Sequence, residues 1–261
     1  LAVYGIDTMG KLARCSIEHE ELLYSMFGVN AELLIDHAWG WEPCTISDIR
    51  AYRPESASLS NGQVLSTPYD TDKARVVIHE MADAAALRLV RKHLVTNQIT
   101  VTIGYDASNL TDPGISPGYD GKVRTDHYGR KVPGHSNGTA RFESHTSSTR
   151  LISEAAVKLY NDIVNPNLLI RRLNISTDNL IGEGTAGIHP ASEQLDLFTD
   201  YEQLEQKREN ERKERAKERR MQEALIDIKQ KFGKNAILKG LNFQEGATAI
   251  ERNRQIGGHK A

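Results

Sequence analysis

Cysteine is nearly absent: two in 261 residues, with no CxxC pair. A dense disulfide framework is thereby excluded, and no strong zinc spacing is present. Cys15 and Cys44 fit reduced thiols of a cytoplasmic protein, although two cysteines could also pair. No apolar run is long enough to span a bilayer, and no signal peptide is expected. Charge of one sign is also missing. The formal net charge is −2, so bulk charge announces no nucleic-acid partner. Apolar residues are 39% of the chain, a slight deficit expected to lie in a tail.

What charge asymmetry exists is local. Residues 1–46 carry Lys11 and Arg14 against seven acids, whereas residues 47–180 carry sixteen Lys and Arg against fourteen acids. Any DNA contact must therefore come from placement of a few groups. Gly5 to Ala13, GIDTMGKLA, reads as the turn and second helix of a helix-hairpin-helix, with Leu1 to Val3 as the last turn of a first helix that starts upstream. Gly5 and Gly10 permit backbone shapes closed to other residues, and Thr8 can cap the helix through Leu12 and Ala13. Unpaired amides at such a corner suit a phosphate oxygen. An ordinary helix–helix turn fits the same spacing.

Leu22, Leu23, Met26 and Phe27 recur at helix spacing up to Gly28, and a further helix runs through Leu33, Leu34 and His37 to Trp39. From Tyr52 the pattern changes. Ser58 to Leu65 reads as a strand, followed by a long helix capped by Asp70 or Thr71 with a buried stripe Ala74, Val77, Ile78, Met81, Ala85 and Leu89. Asn97 to Asp106 alternates: Ile99, Val101, Ile103 and Tyr105 on one side, Thr100, Thr102 and Gly104 on the other. Residues 107–138 read as a long loop. Thr139 to His145 resumes the alternation, a second helix spans Ile152 to Ile163, and Leu168 to Ser176 is a last strand with a bulge at Arg171–Arg172.

The order β-α-β-β-α-β is the split βαβ or ferredoxin-like arrangement, so the fold class is α+β. Both helices must cover the apolar sheet face, which leaves Thr100, Thr102, Arg141 and His145 on an open polar face. No aromatic residue falls there for base stacking, which counts against an RNA-recognition domain. Beyond residue 180, Gly182, Gly184 and Gly187 begin a linker, and Glu205 to Arg220 reads as a charged, solvated helix with Glu209–Lys213 and Glu211–Arg215 pairs. Met221, Leu225, Ile228 and Phe232 restore an apolar stripe for docking on a partner or on the body. Asp106, Asp112, Asp120 and Asp126 read as turn formers, and His127, His135 and His145 as surface residues, so no metal site is expected.

Gln194 to Phe198, QLDLF, places apolar anchors within a polar tail, as short docking peptides do. A local hydrophobic staple is the alternative.

GIDTMGKLA, SLSNGQ (58–63), ARFESHTSSTRLISEAAVKLY (140–160) and IRRLNIS (170–176), in this order around the β-α-β-β-α-β body, resemble the C-terminal half of a Y-family, UmuC-type translesion DNA polymerase. The resemblance implies a thumb at 1–46, a DNA-binding little finger at 52–180, and a tail at 181–261 that ends in FGKNAILKG and ERNRQIGGHKA. It implies phosphate binding at Gly5, Ile6, Thr8, Gly10 and Lys11, and DNA contact at Ser58, Ser60, Asn61, Arg141, Arg171 and Arg172. For the last two, solvated arginines on a bulge remain the alternative. It also implies docking of Gln194, Leu195, Asp196, Leu197 and Phe198 on the bacterial sliding clamp. The family's acidic palm has no counterpart here, so no catalytic residue is expected in this chain, and magnesium would belong to the full-length parent. The loop 107–138 is longer than the family's usual connection, and about sixty residues follow QLDLF. A stand-alone clamp-associated adaptor and a ferredoxin-like small-molecule regulatory domain remain alternatives.

Overall fold

A computed structural model describes residues 1–52, 58–112, 114, 119–126, 129–185 and 201–255. The chain divides into two compact units, Leu1–Glu55 and Ser56–Ala261.

The first unit is helical. A 3-10 turn at Ala2–Tyr4 ends on Gly5, whose φ of 70° lies in the left-handed region that glycine enters without strain. Thr8 then caps α1 (Met9–Glu18), its side chain accepting from the Lys11 amide at 3.2 Å. Gly10 lies inside α1 and has no left-handed φ, so conformational need does not explain it. Helix α2 (Glu20–Phe27) stops at Gly28, and α3 (Asn30–Ala38) follows. A Thr45–Asp48 capping box opens α4 (Ile46–Ala51). Ile6, Leu12, Leu23 and Ala31 form the small core, with Cys15, Phe27 and Leu34 packed on it.

The second unit is the α+β body. Strand β1 is Leu59–Tyr69, α5 is Thr71–Arg91 and β2 is Leu94–Tyr105. Asp70, rather than Thr71, caps α5, accepting from the Lys73 amide at 2.9 Å. After β5 (Ser136–Thr146), Ser148 caps α6 (Thr149–Ile163), and β6 (Ile170–Asp178) completes the set. Among the described residues the long strands run β1-β6-β2-β5, every neighbour antiparallel. Thus β6 lies between β1 and β2, and β2 between β5 and β6, two interleaved split βαβ units. A two-residue strand, β7 (Ile181–Gly182), extends the start of β2, in the stretch read as a linker.

The core lies between this sheet and helices α5 and α6. Every residue of the α5 stripe is buried, as are Ile99, Val101, Ile103, Leu173 and Ile175 from the central strands. Tyr160 is fully buried and donates its hydroxyl to the Thr71 carbonyl at 2.8 Å; burial pushes that phenol's pKa far upward. At Gly138 on β5 a Cβ would come within 2.8 Å of Leu159 Cδ1, so α6 packs on β5 at glycine range.

Two parts differ from the sequence reading. The stretch 107–138 is more than a loop. It holds a 3-10 turn at Ala107–Leu110 and a hairpin of β3 (Val123–Thr125) with β4 (Lys131–Pro133). Buried Asn109 ties it down, donating to the carbonyls of Asp106 and Leu169 and accepting from the Leu169 amide. Three-residue strands give no measurable alternation.

Helix α7 (Tyr201–Phe232) docks on the body through polar groups and through part of its apolar stripe, with Leu225 and Ile228 half-buried and Leu225 facing a cavity that Leu87 of α5 and Val157 of α6 also line. Gln222, 3% exposed, donates to the Ser147 carbonyl and Thr149 Oγ1, and Glu218 accepts from Ser148 Oγ and the Arg150 amide. Met221 and Phe232 stay exposed. The expected Glu209–Lys213 pair forms at 3.3 Å. Among the described residues no helix is long and apolar enough to cross a membrane.

Candidate nucleic-acid interface

Alternation along four strands decides what the second face presents. Opposite the core residues of β2 stand Gln98, Thr100 and Thr102; opposite those of β6 stand Arg172, Asn174, Ser176 and Asp178. Register adds Asn137, Thr139 and Arg141 from β5, and Ser60, Gly62 and Val64 from β1. Both α5 and α6 belong to the opposite face, and α7 comes beside this one only at its β5 edge, where Gln206, Asn210 and Glu214 line a cavity with Arg141. Ser60, Val64, Asn137, Thr139, Arg141 and Arg172 are exposed.

Hydrogen bonds within the face fix which groups remain free. Asp178 takes the hydroxyls of Thr100 at 3.0 Å and Ser176 at 2.6 Å. Asn174 uses its carbonyl oxygen to accept from Ser60 Oγ at 2.9 Å, and Gln98 accepts from Arg141 Nε at 3.0 Å. An amide whose oxygen is engaged keeps its NH2 as a donor. The Asp178 carboxylate is neutralised in part by two hydroxyls, while Asn174, Gln98, Arg141 and Arg172 carry N–H groups. The surface is therefore rich in donors although only mildly basic, which suits phosphate oxygens without reading sequence.

One end of this face meets the β3–β4 hairpin around a cavity of about 540 Å³. Arg124, Arg130, Arg171 and Arg172 line it against Asp106 and Asp126. Arg130 pairs with Asp126 at 2.7 Å, and Arg124 is bonded to His135. The bulge expected at Arg171–Arg172 is present: Gly104 faces Arg172, and the next residue, Tyr105, faces Ile170, leaving Arg171 extra. Arg171 donates to the Ser66 carbonyl at 2.9 Å and lies 3.7 Å from Asp106, whereas Arg172 extends from the face with no bonded partner among the described residues.

In the first unit, the start of α1 leaves the amides of Met9 and Gly10 exposed. A Cβ on Gly10 would have only Arg14 NH1 nearby, at 4.0 Å, so the approach is open. Lys11 is bound to Asp7 at 2.7 Å, which lowers the positive field at this corner.

Several residues expected at an interface stand elsewhere. Ile6 is 9% exposed and belongs to the core of its unit, so only its backbone is available to a ligand. Asn61 faces the helix side of β1, opposite Ser60, because it shares parity with Leu59 and Leu65. Its carbonyl oxygen accepts from Arg252 at 2.6 Å. His145 falls beyond the register shift that follows Arg141, outside the regular alternation. Ser58 is exposed just ahead of β1. Gln194 to Phe198 lie outside the described residues. Sequence reasoning missed Gln98, Asn137, Thr139, Asn174 and Ser176, although the parity set by Leu173 and Ile175 marks the two on β6.

These placements separate two residues of one expected set. Arg172→Ala should leave unfolding free energy within about 0.5 kcal/mol, as for an unpartnered surface residue. Asn61→Ala should cost about 1–3 kcal/mol, because a half-buried guanidinium loses an acceptor. Denaturant titration of both variants checks the contrast; equal losses would contradict the assignment of faces.

The C-terminal domain of the impB/mucB/samB family matches residues 56–197, more than half of the chain. DNA polymerase IV 2 of Halalkalibacterium halodurans is 26% identical over 260 residues, covering 98% of this chain and 51% of that protein. UvrX of Bacillus subtilis, named for UV-damage repair, is 24% identical over 259 residues, 98% of this chain and 50% of its own length. DNA polymerase IV of Bacillus velezensis is 27% identical over 237 residues, 90% of this chain and 46% of its own. The chain spans about half the length of these relatives. With a family model that matches more than half of its residues, the chain belongs to the impB/mucB/samB family, the UmuC-type Y-family.

Proposed function

We propose that this chain is the DNA-holding part of a translesion DNA polymerase that acts in repair, and that it grips primer–template DNA by its backbone. The observation that carries this reading is the polar sheet face opposite α5 and α6, in which the side-chain oxygens of Asn174, Gln98 and Asp178 are engaged by neighbouring side chains, which leaves amide N–H groups free to donate. Residues 52–180 act as the little finger, with Ser58, Ser60, Arg141, Arg171 and Arg172 toward DNA. Residues 1–46 act as the helix-hairpin-helix thumb, where Gly5, Thr8, Gly10, Lys11 and the backbone of Ile6 hold a phosphate. Asn61 acts from behind the strand instead of touching DNA. The names of the relatives, DNA polymerase IV 2 and DNA polymerase IV, support a polymerase as the parent.

Nucleotidyl transfer of this kind uses metal ions held by carboxylates. Among the described residues no three His, Cys, Asp or Glu converge to hold one, so the residues here do not fit a magnesium centre and no chemical step is assigned to them. On this reading magnesium serves the parent's catalytic part.

Backbone grip has a salt signature. The 261-residue chain should bind mixed-sequence primer–template DNA with log K falling against log salt at a slope of about −3, roughly 0.9 for each of three neutralised phosphates. Replacing Arg141 and Arg172 by Ala should make the slope shallower by about 2. A salt-independent affinity would contradict the reading.

Clamp docking is a separate part of the proposal. Gln194 to Phe198 supply an extended peptide whose Leu197 and Phe198 fill a pocket on the bacterial sliding clamp. The intact chain should be retained on immobilised clamp, and Leu197→Ala with Phe198→Ala should abolish retention while DNA binding persists. Equal retention of both proteins would overturn it.

A further inference from the structure

The segment that follows α7 returns along α5 to the back of β1. Glu80 of α5, 7% exposed, is its anchor. One carboxylate oxygen accepts from the Thr248 amide at 2.8 Å, from the Ala249 amide at 3.0 Å and from Thr248 Oγ1 at 3.3 Å; the other accepts from Asn242 Nδ2 at 2.7 Å. Lys239 pairs with Asp83, and Lys73 with Glu245 at 2.7 Å. The exposed Lys73–Glu245 pair is screened by solvent and weaker than hydrogen bonds to a buried charge, so Glu80 dominates. Gly246, with φ +89°, lets the chain pass where a Cβ would stand 2.7 Å from Lys73 Cβ.

Fixed in this way, helix α8 (Ala249–Arg252) delivers Arg252 to β1. Its guanidinium donates to Asn61 Oδ1 at 2.6 Å, to the Gly62 carbonyl at 3.1 Å and to Gln63 Oε1 at 3.1 Å. Gln63 in turn donates to Thr248 Oγ1 at 2.8 Å. Three consecutive residues of β1 are thus held by one side chain whose burial pulls its pKa below the usual arginine range, with Glu80 opposing that shift. The strand needs such a hold. Among the described residues it is an edge strand paired with β6 alone, and its register slips between Val64 and Tyr69. Its other side carries Ser60, Gly62 and Val64 on the open face.

We propose that the C-terminal segment 233–255 is a clasp that fixes β1 from behind, and that Arg252 is the positioning residue through which it sets the strand's presentation to DNA. Its consequence for DNA rests on the binding function proposed above; its consequence for the strand does not.

Amide hydrogen exchange and DNA binding of the whole chain test both. Arg252→Ala should raise exchange across residues 59–64 about tenfold, the factor that about 1.4 kcal/mol of lost local stability gives. Amides of β2 facing β5 should keep their protection. DNA affinity should fall about threefold to tenfold with the salt slope unchanged, since Arg252 neutralises no phosphate. Arg252→Lys, which keeps the charge but loses the fork, should shift exchange in the same direction by less. Unchanged exchange in β1, or a uniform rise across the whole unit, overturns the clasp. Should the unaltered chain fail to bind DNA, the DNA-holding function fails, while the exchange comparison still decides the clasp.

Discussion

One constraint organises the α+β unit: β2 and β6 must bury one row of side chains completely, and period two then forces the other row outward. Ile99, Val101, Ile103, Leu173 and Ile175 are each buried against α5 and α6. At about 1.5–3 kcal/mol per fully buried aliphatic side chain, this row outweighs any polar contact in the unit. A one-residue slip would place Thr100, Thr102 and Asn174 in the core and isoleucine in water. The composition of the open face is thus held in place by the core behind it.

What the open face then offers depends on hydrogen bonds, not net charge. Asp178 would repel a phosphate if it stood alone, but the hydroxyls of Thr100 and Ser176 engage it. Engaged side-chain oxygens on Gln98 and Asn174 leave their amide hydrogens free to donate. Donors held in this way lose little freedom on binding, which favours contact with a backbone that repeats along any sequence. The chain's net charge of −2 is compatible with that, because local placement governs the field at short range.

Much of this was legible in the sequence for a physical reason. Long strands and helices carry enough periods to identify themselves, and β2, α5 and α6 lie close to where alternation and apolar stripes put them. The bulge at Arg171 announced itself as a break in period. Other features carry no such signal. The β3–β4 hairpin has three residues per strand, fewer than two periods. Asn61 was grouped with Ser60 by motif, although parity with Leu59 and Leu65 assigns it to the other face. Docking of α7 adds polar contacts through Glu218 and Gln222, which no apolar periodicity marks. The Glu80 and Arg252 contacts join residues more than 160 positions apart, beyond any local pattern.

The central claim is that DNA lies on the open face and not on the helices. Backbone amide NMR shifts of the intact chain on titration with primer–template DNA test it most directly. The account predicts perturbation concentrated at Gln98, Thr100, Thr102, Asn137, Thr139 and Asn174, with α5 and α6 quiet. Shifts concentrated on α5 and α6, or none on the sheet at low salt, would contradict it.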